Sequence, residues 1–193
     1  MKIDIVIAGV GGQGIVSIAT VIGFAAVDSK LFLKQSEVHG MSQRGGDVSS
    51  NLRLSDEEIY SDLIPKGTAD MIISVEPMES LRYLPMLSSK GWLVTNTKPF
   101  INIPNYPEMD TLMAEINKFP RHIAIDADKI AEDFGSVKSA NMVILGAASP
   151  FINMPFEKLE NAIKAIFGRK GDDVVDVNLK CLRAGREFAQ KSI

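Results

Sequence analysis

Ile3-Asp4-Ile5-Val6-Ile7-Ala8-Gly9-Val10-Gly11-Gly12-Gln13-Gly14 is the stretch whose reading decides the fold. The mostly apolar run ending at Ala8 reads as a strand. The glycines after it supply a turn that needs positive φ and close backbone approach. Ile15, Ile18, Ala19 and Ile22 then recur at helical spacing, so the turn opens a helix whose first free N–H groups point back at the loop. Such a loop favours an anion, typically a phosphate. The spacing Gly9-x-Gly11-x-x-Gly14 also meets the dinucleotide-binding pattern in its strand-to-helix setting. Two readings stay open: the glycines cradle a phosphate, or they only let the first helix pack tightly on its strand. A dinucleotide site further requires an acid at the end of the second strand, about 20 residues on, for which Glu37 is the candidate.

Working outward, Lys2 to Gly9 forms strand one, a helix follows to about Val27, and Leu31 to Val38 is the second strand. The loop His39-Gly40-Met41-Ser42-Gln43-Arg44-Gly45-Gly46-Asp47 leads into a third strand, Val48 to Leu54. So short a connection cannot hold a helical crossover, so the third strand is expected antiparallel to the second or outside the main sheet. In Asp56 to Ala69, the residues Ile59, Tyr60, Leu63 and Ile64 read as core anchors. Met71 to Val75 is a continuous apolar strand of the kind a parallel sheet covers on both faces, and Pro77 suits the first position of the next helix. Strands at Gly91 to Thr95 and His122 to Ile125 frame a short helix over Asp110 to Lys118.

Asp126 or Asp128 caps the following helix, which Gly135 stops. Ser139 is expected to cap the nearly all-apolar helix Met142 to Ala148, with Asn141 at its start either serving backbone N–H groups or touching a ligand or partner. Phe156 to Phe167 is amphipathic, and Val174, Val177, Cys181, Ala184 and Phe188 form the seam by which the last helix docks. The whole, residues 1–193, is expected as a single α/β domain: a three-layer α/β/α Rossmann-like fold with a mostly parallel sheet.

The composition narrows the chemistry. Twenty-one Lys and Arg against 24 Asp and Glu give a net charge of −3 without a basic stripe, which argues against nucleic acid. No run is long enough to cross a bilayer and the N-terminus lacks a signal-peptide pattern, so a cytoplasmic protein is expected. The single cysteine, Cys181, falls short of the four thiolates that usually hold an iron–sulfur cluster. His39 and His122 lack nearby ligands at metal spacing, so no metal site is expected. No Ser/His/Asp set, Walker lysine or paired general acid and base is visible, and no catalytic residue is assigned.

Four features fall at the carboxyl ends of strands, where open α/β sheets bind ligands: the Gly11 to Gly14 loop, the Glu37 to Gly46 loop, Glu76 with Glu79, and Asn96. Glu76 and Glu79 read better as charges favoured at a helix start than as site residues. Arg44, between Gln43 and two glycines, offers a fork donor beside free amides that suits phosphate or carboxylate. The loop's other reading is a surface turn.

Gly9-Val10-Gly11-Gly12-Gln13-Gly14 followed by Glu37-Val38-His39-Gly40-Met41-Ser42-Gln43-Arg44-Gly45-Gly46, Val48 and Arg53 resembles the gamma subunit or domain of 2-oxoacid:ferredoxin oxidoreductases. Within that family, Glu76-Pro77-Met78-Glu79-Ser80-Leu81-Arg82-Tyr83, Asn96-Thr97 and Asn141-Met142-Val143-Ile144-Leu145-Gly146-Ala147 are most similar to the indolepyruvate branch. The ordered set covers nearly the whole chain. The resemblance implies an accessory subunit, inactive alone, of a complex that oxidatively decarboxylates an aryl 2-oxoacid such as indolepyruvate to its acyl-coenzyme A and passes electrons to ferredoxin. Thiamine diphosphate and the iron–sulfur clusters are then expected on the partner subunit. A role in binding coenzyme A, or in docking that subunit, is implied for Gly11, Gly12, Gln13, Gly14, Ser42, Gln43 and Arg44. The alternatives are another branch of the family, acting on pyruvate or 2-oxoglutarate, a stand-alone Rossmann-type nucleotide-binding protein, or a scaffold with an empty loop.

Overall fold

The computed structural model describes residues 1–40 and 45–193. Six strands, β1 (Lys2–Val10), β2 (Phe32–His39), β3 (Asp47–Ser55), β4 (Ala69–Ser74), β5 (Leu87–Asn96) and β6 (His122–Ile125), form one sheet in the order β2-β3-β1-β4-β5-β6. β1, β4, β5 and β6 run parallel, as their apolar sequences require. β3 pairs antiparallel with both β2 and β1, as the short connection dictates, and so takes the place beside β1 that a βαβ unit would give to β2. The fold is therefore α/β with a mixed, mostly parallel sheet.

Helices cover both faces. On one lie α1 (Ile15–Asp28), α4 (Ala127–Asp133), α5 (Ala140–Ala148), α6 (Phe156–Phe167) and α7 (Asp172–Ser192), packed with Ile5, Ile7, Leu52, Leu54, Met71 and Ile73 into the main core. On the other, α2 (Pro77–Arg82) and α3 (Met109–Ile116) help cover a smaller core of Val6, Ile64, Ile72, Leu93 and Ile116. Among the described residues no helix is long and apolar enough to cross a membrane.

α5 is buried from Asn141 to Ala148 because α7 lies directly on it. Gly146 and Gly185 make that approach possible: a Cβ on Gly146 would collide with the Leu182 carbonyl, and one on Gly185 with the Val143 carbonyl. Of the expected seam, Val174, Val177 and Cys181 do pack on the main core, but the contact shifts the buried face beyond them. Leu182, Gly185 and Ala189 are buried, whereas Phe188 is exposed. Alternating apolar spacing pointed to Phe188 because a glycine contributes nothing to such a pattern. Cys181 is buried here, and burial pushes its thiol up to about 11, leaving it as packing rather than a nucleophile.

Two other expectations are corrected. Tyr60 and Leu63 are exposed, and of the four anchors only Ile64 is fully buried. The loop is instead held by polar contacts. Arg53, directly across from Asp4, grips that buried carboxylate at 2.8 and 3.1 Å and donates to the Ser61 and Leu63 carbonyls at 3.0 and 2.9 Å. Ser139 makes no side-chain cap on α5, whereas Asp126 caps α4 by accepting from the Lys129 N–H at 2.9 Å.

Gly185→Ala is expected to lower stability by about 3 kcal/mol, the upper end for overpacking, because both sides of the contact are backbone. The midpoint of urea unfolding measures it.

Candidate functional site

The glycine loop takes the shape its residues allow. Gly12 and Gly14 have φ of +102° and +82°, values that side chains disfavour. Gly9 lets Val75 approach, since a Cβ there would collide with the Val75 side chain. The Gly11 N–H donates to the Gly46 carbonyl at 2.9 Å, so the two glycine-rich loops meet. The Gln13 side chain folds back, its Oε1 accepting from the Val10 N–H at 2.8 Å, and the Gln13 N–H donates to the Val10 carbonyl. Among the described residues, the N–H groups of Gly12 and Gly14 have no acceptor.

A cleft of about 680 Å³ opens beside this loop on the α1 side of the sheet. Its floor is Gly12, Gln13, Gly14 and the strand ends Val75 and Asn96. One wall is the turn before α5, with Ser136, Lys138 and Ser139, together with Asn141 of α5 itself. The other is the α6–α7 junction, with Phe167, Lys170, Val174 and Asn178. The N-terminal ends of α1 and α5 therefore border the same space, and the Lys170 ammonium sits 5.2 Å from the Phe167 ring centre.

Two asparagines fix the geometry. Asn141 donates to the Gly14 carbonyl at 3.1 Å, tying α5 to the loop. Its hydrogen-bond partner is thus a carbonyl of a distant loop rather than a backbone N–H of its own helix, and its side chain stands at the cleft wall. Asn96 donates to the Asp128 carboxylate at 2.7 Å and the Val75 carbonyl at 3.3 Å, and accepts from the Ala127 N–H at 3.1 Å. It locks the ends of β4 and β5 to the start of α4, with Asp128 left on the cleft wall.

Of the sequence-derived site residues, the cleft gathers Gly12, Gln13 and Gly14. Gly11 is turned to Gly46, while Ser42, Gln43 and Arg44 lie outside the described residues. Sequence reasoning missed Lys138, Lys170 and Asn178. No motif marks them, because they reach the loop only through the packing of α5 on α7.

Glu76 and Glu79 serve α2. Glu76 caps it by accepting from the Glu79 N–H at 2.8 Å, and also accepts from the Phe100 N–H and the Tyr106 hydroxyl. Glu79 pairs with Arg82 at 2.7 Å. Glu37 is no ribose acid here. With β3 between β2 and β1, it stands about 10 Å of sheet width from the glycine loop's strand, and it sits against His39. The dinucleotide pattern thus has its glycines without its acid.

Burial pushes the Glu79 carboxyl above its ordinary range, Arg82 opposes the shift, and the charges of Glu76 and Asp47 add to it. An acid raised in this way carries no penalty below its unfolded-chain pKa and an increasing one as pH rises to its folded value. Glu79→Gln is expected to gain stability relative to the parent protein as pH rises above the ordinary glutamate pKa of about 4.3, measured by urea unfolding below and above that value. At Gly14 a Cβ would fall on the Asn141 amide. Gly14→Ala should cost about 1–2 kcal/mol in the wild-type background and about 1 kcal/mol less with Asn141→Ala, a coupling that a double-mutant cycle reads.

Residues 4–188 match the profile of the pyruvate ferredoxin/flavodoxin oxidoreductase family. The chain is 39% identical to an indolepyruvate oxidoreductase subunit, IorB, of Archaeoglobus fulgidus, covering 96% of this chain and 94% of that one. It is 36% identical to the IorB subunit of Methanothermobacter thermautotrophicus over the full length of both. Among solved structures, it resembles the 2-oxoglutarate:ferredoxin oxidoreductase from Magnetococcus marinus, solved with 2-oxoglutarate, coenzyme A and succinyl-CoA bound, at a TM-score of 0.78 and 23% identity. That match covers 98% of this chain but 31% of the longer one, and at this identity it speaks for the fold. The chain belongs to the pyruvate ferredoxin/flavodoxin oxidoreductase family.

Proposed function

We propose that this chain is the smaller subunit of a ferredoxin-dependent 2-oxoacid oxidoreductase, with an aryl 2-oxoacid such as indolepyruvate as substrate, and that its cleft receives coenzyme A. The support for the first part is the near full-length identity to indolepyruvate oxidoreductase subunits. One observation carries the second: the unpaired N–H groups of Gly12 and Gly14, the N-terminal ends of α1 and α5, and the ammonium groups of Lys138 and Lys170 all border one space. Amide hydrogens at helix starts and flanking ammonium groups are the donors a phosphorylated ligand needs. Asp128, on the cleft wall, suits hydroxyl and amide groups of the same ligand.

The redox chemistry belongs to the partner in this reading. One buried cysteine does not ligate a cluster that takes four, which suits iron–sulfur centres on the larger subunit; the family resemblance implies thiamine diphosphate and the ferredoxin contact there as well. What this chain contributes is binding and orientation: holding the phosphates at the loop leaves the thiol end of coenzyme A free to reach an acyl group on the neighbouring subunit.

In the assembled complex, Lys138→Ala and Lys170→Ala are each expected to raise KM for coenzyme A about tenfold, equivalent to 1.4 kcal/mol, while KM for the oxoacid stays the same. Unchanged KM for coenzyme A in both variants would remove the ligand from this cleft.

A further inference from the structure

The sheet leaves one surface without a helix. β2 alternates so that Leu33 packs toward Gly23 of α1, which turns Phe32, Lys34, Ser36 and Val38 to the opposite face. α2 and α3 cover that face over β4 and β5. Over β2 and β3 the cover is the loop 56–64, laid across the strands by Arg53 and by a Ser36 hydroxyl bond to the Asp62 carbonyl at 3.4 Å. The loop brings apolar side chains outward rather than inward. Tyr60 is 87% exposed and Leu63 63%, beside Phe32 at 50% and Val38 at 61%.

Arg53 is what holds Tyr60 and Leu63 in that outward position. It grips a carboxylate, Asp4, that is itself buried, so presenting two large apolar side chains to water is a fixed feature of the loop. Apolar patches held rigid on a surface mark protein contacts. The surrounding charge states what kind. Residues 55–65 contain Asp56, Glu57, Glu58 and Asp62 and no lysine or arginine, so the loop itself is acidic, while exposed Lys34 lies on the β2 part of the face and exposed Lys66 just after the loop. Asp56 is matched by the N-terminal ammonium, which leaves Glu57 and Glu58 exposed beside the patch.

We propose that the outer face of the β2–β3 hairpin, with the 56–64 loop upon it, docks against the larger subunit of the oxidoreductase, on an apolar surface rimmed by lysine or arginine. This rests on the subunit reading given above. It agrees with the occurrence of the same fold as 31% of a longer chain, where it is joined to further segments. The cleft lies on the opposite, α1 side of the sheet, so the contact leaves it open.

The test is titration of the full-length chain into the purified larger subunit, followed by calorimetry and size exclusion, with thermal unfolding of each variant as a check on folding. Leu63→Asp is expected to unfold like the parent protein and to weaken association at least tenfold. Glu57→Lys with Glu58→Lys, on the exposed rim, should weaken it most at low salt. Phe188→Asp, in the groove between α4 and α7, should associate as the parent does. Association of Leu63→Asp and of the double lysine variant within twofold of the parent, while the parent binds, overturns this face and leaves the subunit reading standing. A parent chain that binds no larger subunit overturns both.

Discussion

The hydrogen bond from the Gly11 N–H to the Gly46 carbonyl depends on an unusual exchange of neighbours in the sheet. A chain that leaves β1 through a helix normally returns alongside it. Here β3 occupies that position, and its nine-residue antiparallel pairing with β1 carries Gly46 to the mouth of the glycine loop. The loop's conformation, the orientation of α1 and the floor of the cleft all follow from that placement. It also moves Glu37 away from the loop's strand, which separates a dinucleotide-like glycine pattern from dinucleotide recognition.

The cleft is assembled from parts distant in sequence. Asn141 reaches the Gly14 carbonyl across 127 positions, and Asn96 joins two strand ends to α4. Both asparagines spend their amides on protein atoms. They set the positions of the loop amides and Asp128 on the cleft wall, so this part of the binding surface is preorganised before any ligand arrives.

Much of this was legible in the sequence because each signal was local. The glycines after Ala8, the seven residues between β2 and β3, and the apolar run Met71 to Val75 each dictate structure within a few residues of themselves. The cleft's far wall had no such signal. Lys138, Lys170 and Asn178 come near Gly14 through the stacking of α5 on α7, and that stacking depends on two glycines whose importance is the absence of a side chain. The 56–64 loop misled for a related reason. Tyr60 and Leu63 look like core residues until Arg53, on β3, is seen to hold the loop by its carbonyls.

The backbone contact between Gly146 and Gly185 also bears on how the cleft can respond to an occupant. α5 cannot turn or slide against α7 without driving a carbonyl into a neighbouring helix, so the wall that carries Asn141 is stiff. The junction between α6 and α7, a short 3₁₀ segment ending at Gly171 with φ of +104°, has no such restraint and carries Lys170. Room for guests of different bulk is therefore greater on the Lys170 side of the cleft, where Gly168 and Gly171 face open space, than on the Asn141 side.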